Sequence, residues 1–169
     1  MGFSKVFQDI INRKQRAEEG KYNCIPFPFP RFQKLFPGIE RGRYLLISAN
    51  QKLGKSKFTD FVFVYEPIFF AMEHPEFHFH VIYFTLEMSP QAKYYEFLSH
   101  LLYRLDNLNV SPVDLRSVDN AHPISQEVLD LLQSETYQKY IRFYEEHVEY
   151  FSESSNPTGK KGFVKVTFL

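Results

Sequence analysis

Eight consecutive residues of this chain have the types and the spacing needed to hold a phosphate chain. They are Ala49, Asn50, Gln51, Lys52, Leu53, Gly54, Lys55 and Ser56. In a loop of this kind, backbone N–H groups and the first turn of the following helix point at one place, where the helix dipole adds positive charge. The Lys55 side chain would reach the terminal phosphates, and the Ser56 hydroxyl would ligate Mg²⁺. The pattern predicts a nucleotide-binding P-loop.

The neighbouring sequence decides between this interpretation and a chance Gly-Lys-Ser triplet in a solvated loop. The consensus motif begins with glycine, whereas this loop begins with Ala49, which is acceptable where φ is negative. An apolar run precedes the loop at residues 44–48, and an apolar segment follows it at residues 58–70. We therefore predict a strand, the loop and then a helix, which is the order that a P-loop needs.

The other predicted elements alternate between helix and strand. Pro67 is expected to kink the helix of residues 55–72 or to end it near Glu66. Further helices are predicted at residues 4–19 with Ser4 as the cap, 31–36, 91–105, 125–134 and 136–147, and strands at 80–86 and 148–151, with strand-like alternation at 162–169. Residues 25–30, with a proline at every second position, are predicted to form a stiff linker. This order predicts an α/β fold with a parallel sheet and helices on both faces.

Glu87 follows the predicted strand of residues 80–86 and is the second candidate site residue. Ligands of open α/β sheets bind at the carboxyl ends of the strands. A carboxylate there can orient and deprotonate a water molecule that attacks a γ-phosphate. By position alone, a solvated glutamate that offsets a helix dipole is an equal alternative.

Composition limits the class of protein. The chain has 169 residues, 20 basic and 20 acidic side chains, and one cysteine, so an intrachain disulfide is excluded. A net charge of zero gives no overall attraction to nucleic acid or to a membrane surface. The N-terminus lacks the apolar core of a secretory signal, and the longest apolar run is too short to span a bilayer. We expect a cytoplasmic protein.

Residues 29–114 resemble the ATPase domain of DnaB-type replicative helicases, which belongs to the RecA-like superfamily. The resemblance is carried by residues 37–43 (Pro-Gly-Ile-Glu-Arg-Gly-Arg), by the alanine-first P-loop ending in Gly54-Lys55-Ser56, and by residues 83–89 (Tyr-Phe-Thr-Leu-Glu-Met-Ser). It implies a three-layer RecA-like sandwich, ATP and Mg²⁺ as ligands, and Glu87 with Lys55 as catalytic residues. It also implies single-stranded DNA as a partner of the intact assembly. That assembly would be a homo-oligomeric ring, a hexamer in the family, with the N-terminal helix docking on a neighbour through Val6, Phe7, Ile10 and Ile11.

Part of the family pattern is missing from this chain. No convincing second Mg²⁺-binding carboxylate, arginine finger or DNA-binding loop is identifiable, so the chain is expected to be truncated and poorly active alone. We divide it into a docking helix at residues 1–24 and the first half of an ATPase domain at 25–169. Two alternatives stay open. One is a RecA-like recombinase or another P-loop ATPase, and the other is a non-catalytic module that binds a helicase ring.

Overall fold

The computed structural model describes residues 2–85, 88–119, 123–152 and 164–168. The chain divides into two compact units, residues 1–70 and residues 71–169. The division also separates charge: the first unit carries twelve basic and six acidic residues, and the second carries eight basic and fourteen acidic residues. The net charge of zero is therefore the sum of about +6 and about −6 in two separate units.

The first unit begins with helix α1, Phe3–Glu18. Its N-cap is Gly2, and Ser4 lies inside the helix, so the predicted Ser4 cap is wrong. Gly20 follows the helix with φ of 72°, the left-handed conformation that ends many helices. The polar face of α1 contacts the rest of its unit. Arg13 Nη1 lies 3.4 Å from Glu40 Oε2, and the Arg16 side chain donates a hydrogen bond to the Tyr22 carbonyl.

The Pro-rich segment after α1 is part of the core of this unit. Strand β1, Ile25–Pro26, pairs antiparallel with strand β2, Gly38–Ile39. A short helix, α2, Pro30–Gln33, lies between them. Ile25 and Phe27 are buried. The segment is extended, as predicted, but it is not a linker: it pairs with β2, and Phe27 packs inside the unit while Phe29 stays 37% exposed.

Residues 44–48 do not form the predicted strand. They lie in an irregular stretch without ladder pairing, and Tyr44 and Leu46 are 87% and 78% exposed. The apolar run alone favoured a buried strand. A strand of a parallel sheet also needs hydrogen-bonded neighbours, and none of the strands in the described residues pairs with this segment.

Pro67 disturbs the helix after the loop without ending it. Helix α3, Lys55–Asp60, continues into a π-helical turn, Phe61–Tyr65, and then into α4, Glu66–Glu73. The Glu66 N–H donates to the Phe61 carbonyl, five residues earlier. Pro67 has no N–H, and in an α-helix its ring would clash with the carbonyl four residues earlier. The wider turn accommodates the proline, so the helix continues past Glu66 and the predicted end there is wrong, while the predicted kink stays a prediction.

The second unit contains a three-stranded sheet in the order β4-β3-β5. The strands are β3, Phe79–Thr85, β4, Val148–Ser152, and β5, Val164–Phe168. The β3 and β4 strands are parallel, with Val81 opposite Val148, as the sequence predicts. The β5 strand is antiparallel to β3, so the sheet is mixed. A three-layer RecA-like sandwich stays a prediction.

Four helices complete the second unit: α5, Pro90–Asp106, α6, Pro112–Leu115, α7, Gln126–Gln133, and α8, Glu135–His147. Ser89 and Ser125 accept hydrogen bonds from the backbone N–H groups of α5 and α7, which confirms both predicted starts. Between helices, the Tyr137 hydroxyl donates to Asp106. Burial, reinforced by this bond, raises the pKa of Tyr137. Among the described residues, no helix is long and apolar enough to cross a membrane.

Candidate functional site

The candidate P-loop is an exposed connection whose last residue has the conformation that only glycine adopts easily. Residues 49–54 form no helix or strand. Gly54 is the N-cap of α3, with φ of 78° and ψ of 19°. A Cβ built on Gly54 would meet no atom within 4 Å. The glycine is therefore needed for its backbone conformation and not for a close approach of other protein atoms. Lys52 also has a positive φ, 63°.

The two side chains predicted to contact phosphate and metal lie at the start of the helix, as expected. Helix α3 begins at Lys55, and its first intrahelical hydrogen bond runs from the Phe58 N–H to the Gly54 carbonyl, at 2.9 Å. The N–H groups of Lys55 and Ser56 precede that bond and have no intrahelical acceptor. Both side chains are exposed. This end of the helix can therefore present N–H groups, an ammonium and a hydroxyl to an anionic ligand.

The charge around the loop favours an anion. Lys52, Lys55 and Lys57 are all exposed, and residues 41–59 contain no aspartate or glutamate. Two further cations, Arg41 and Arg43, precede the irregular stretch. Arg43 lies 3.5 Å from Glu40, so part of the local positive charge is balanced, but residues 41–59 themselves contain no acidic side chain.

Glu87 lies outside the described residues. The flanking backbone is held by the buried Thr85, at the end of β3. The Thr85 hydroxyl donates to the Met88 carbonyl at 2.8 Å and accepts from the Met88 N–H at 3.3 Å. Ser89 then caps α5. The placement of Glu87 relative to the P-loop stays a prediction.

Sequence reasoning missed a buried ion pair in the second unit. Lys93 is 2% exposed, its Nζ lies 3.2 Å from Glu96 Oε2, and the same Nζ lies 5.1 Å from the centre of the Tyr83 ring. A buried lysine needs such compensation, because isolated charges are costly to desolvate. The sequence did contain an indication that Lys93 is buried. Lys93, Phe97 and Leu101 recur every four residues and therefore share one face of α5, which is the buried face.

In the part of the chain that the structure describes, candidate metal ligands do not form a cluster. No group of three or more histidine, cysteine, aspartate or glutamate side chains could hold an ion among the residues that the structure describes. The predicted Mg²⁺ ligand, Ser56, is a hydroxyl, which provides one ligand and leaves the others to phosphate and water. A metal at this position would therefore depend on the nucleotide.

Comparison with known proteins adds no assignment. Models of protein families, curated proteins and solved structures were all searched, and none matches this chain. The functional conclusion therefore depends on the residues and geometry described above.

Proposed function

We propose that this chain is the ATP-binding part of a DnaB-like replicative DNA helicase. In the intact assembly, hydrolysis of ATP would be coupled to movement on single-stranded DNA and to unwinding. The observation that carries the proposal is the left-handed Gly54 immediately before a helix that begins with the exposed Lys55 and Ser56. A Cβ at Gly54 would meet no atom within 4 Å, so close packing does not impose this left-handed turn. Because residues 44–48 form no strand, the support for the proposal comes from the loop and the helix start alone.

Each residue of the candidate site would have a separate role. The backbone N–H groups at the start of α3 and the Lys55 ammonium would hold the phosphates, and the Ser56 hydroxyl would hold Mg²⁺, which neutralises charge on the phosphate oxygens when bound. Glu87 would orient and deprotonate the attacking water. Phosphate binding depends on the first unit alone, whereas hydrolysis depends also on Glu87.

Assembly into a ring is the second part of the proposal. Val6, Phe7, Ile10 and Ile11 are exposed on α1, and the helix contacts its own unit through Arg13. Because its apolar side chains do not contribute to its own core, the helix is suited to dock on a neighbouring copy. The same observation favours the alternative of a non-catalytic module that binds a helicase ring. A RecA-like recombinase or another P-loop ATPase would share the nucleotide site.

Calorimetric titration with Mg²⁺-ATP tests the nucleotide site directly. We expect saturable binding that Lys55→Ala weakens by roughly 10- to 150-fold, because a hydrogen bond to a charged group contributes about 1.5–3 kcal/mol. Lys57→Ala is the matched control, since it removes an equally exposed lysine two residues later. The control is expected to change the affinity by much less.

Two results would contradict the proposal. Equal weakening by Lys55→Ala and Lys57→Ala would indicate non-specific attraction to a cationic segment. If the unsubstituted chain shows no saturable binding at two temperatures, there is no nucleotide site, and the non-catalytic alternative is favoured. Repeating the titration without Mg²⁺ and with Ser56→Ala then separates binding of the metal from binding of the phosphates.

A further inference from the structure

We propose that Phe29 is a positioning residue for the start of α3, held there by the rigid Pro-rich segment that carries it. We call residues 25–30 the aromatic arm. The proposal builds on the proposed function only where it concerns the nucleotide. The other part of the proposal is that the arm fixes the end of the helix that carries Lys55 and Ser56. This part depends only on contacts within the first unit.

The aromatic arm is stiff and is fixed at its base. Prolines at positions 26, 28 and 30 restrict the backbone, and each also restricts the residue before it. The base pairs with β2, where Ile25 lies opposite Ile39. Next to it, the Phe27 N–H donates to the Pro37 carbonyl at 3.3 Å, and the Gln33 side chain donates to the Phe27 carbonyl. The ring of Phe29 is therefore presented from a backbone with few alternative conformations.

The arm contacts the helix at three successive aromatic rings. Phe29 stacks on Phe58, with ring centres 5.8 Å apart and planes only 7° apart. Phe29 also lies 5.7 Å from Phe61, and Phe27 packs edge-on against Phe63 at 6.0 Å. Phe58 is two residues after Ser56, in the first turns of α3. These contacts therefore act close to the residues that would bind the ligand.

The arm has a consequence because the segment before α3 gives the helix start no regular structure to pack on. Residues 43–50 form neither helix nor strand, whereas at its other end α3 continues into the π turn. Aromatic pairs of this geometry contribute to stability beyond the area that they bury. Removing the Phe29 ring is therefore expected to let the first turn of α3 open more often, without unfolding the unit.

Hydrogen exchange of the Phe58 amide measures this opening, because that N–H makes the first hydrogen bond of the helix. In Phe29→Ala we expect exchange to be faster by on the order of tenfold, with unchanged exchange in β3 of the second unit. Phe36→Ala is the matched control, since Phe36 is as exposed as Phe29, at 42% against 37%, and its ring lies against Phe32. Phe29→Tyr keeps the ring and should restore slow exchange.

The proposal would be overturned by unchanged exchange of the Phe58 amide in Phe29→Ala, or by an equal effect of Phe36→Ala. If Phe29→Ala unfolds the chain, Phe29→Leu gives the same comparison, since leucine keeps apolar volume but cannot stack. Affinity for Mg²⁺-ATP supplies a separate readout, expected to fall by about tenfold in Phe29→Ala and to recover in Phe29→Tyr. A chain that binds no ATP would end the proposed function, while the exchange experiment would still decide the role of the arm.

Discussion

At the scale of single residues, α5 combines ionisable side chains with its apolar face. Lys93 and Glu96 form the buried pair described above, and His100 follows one turn later, half-buried. Burial, with a smaller contribution from the nearby Arg104, lowers the pKa of His100 from 6.5 to about 4. The imidazole is therefore kept neutral in the folded protein at a pH where it would be protonated in the unfolded chain.

This pKa difference predicts how stability depends on pH. Between pH 6.5 and 4 the unfolded chain binds more protons at His100 than the folded chain, so the free energy of unfolding should decrease as the pH falls. After allowance for partial solvent exposure, the loss is about 1–2 kcal/mol by pH 4.5. Urea denaturation at pH 7 and at pH 4.5 measures it, and His100→Gln should remove this part of the loss.

The exposed His78 offers a matched control for this experiment. His78→Gln should leave the pH dependence of the unsubstituted protein intact, because the ring is accessible to water. An identical loss of stability in His100→Gln and in the unsubstituted protein would show that other groups cause the acid sensitivity.

At the scale of elements, α1 has no buried side chain in its own unit. Phe7 and Ile10 are 63% and 55% exposed, whereas Arg13 on another face lies against Glu40. An exposed apolar stripe is costly to leave in water, and a neighbouring copy would bury it. The stripe therefore contributes little to the fold of one chain, and its docking on a neighbouring copy stays a prediction.

The assembly prediction can be tested with helix-compatible substitutions. The double change Phe7→Ala and Ile10→Ala should shift the sedimentation profile from an oligomer toward a monomer, because each interface would lose about 2–4 kcal/mol of apolar burial. Gln8→Ala, on the same helix, should leave the profile unchanged. An unsubstituted chain that sediments as a monomer at all accessible concentrations would contradict docking through α1.

Elements with a strong local signal could be predicted from the sequence, and elements set by their neighbours could not. Ser89 and Ser125 are side-chain caps before apolar periodicity, and both helices begin where predicted. The strand over residues 44–48 failed because its apolar pattern does not specify a hydrogen-bonding partner. The π turn could not be found either, since Pro67 indicates only that an α-helix is disturbed, and packing decides how the disturbance is accommodated.

The same distinction holds for the candidate site. Gly54, Lys55 and Ser56 could be placed from the sequence, because the motif itself determines the turn and the start of the helix. The contribution of Phe29 could not, since it lies more than 20 residues earlier in the sequence. Only the fold of the first unit brings its ring against Phe58.

At the scale of the whole molecule, the net charge of zero does not mean that each unit is neutral. A net charge of zero predicted no electrostatic preference for any partner. The first unit carries an excess of basic residues and the second an excess of acidic residues, so each unit has a field of its own. The candidate P-loop lies in the basic unit, where anions are attracted.

The irregular stretch of residues 44–48 has a consequence for how copies of the chain behave in concentrated solution. The five residues carry no charge, proline or glycine, and their exposed backbone can pair with another chain. The exposed Lys52 and Lys55 after it repel the same segment of a second copy, whereas Arg43 before it is paired with Glu40. Salt screens this repulsion, since the Debye length falls from about 10 Å at 0.1 M to about 3 Å at 1 M.

Turbidity of the concentrated protein should therefore rise with sodium chloride, and Leu46→Lys should remain clear. Turbidity that falls with salt would show that attraction between the oppositely charged units dominates instead. If turbidity rises with salt, the short uncharged stretch makes the solubility of this protein depend on the salt concentration, although the net charge of the chain is zero.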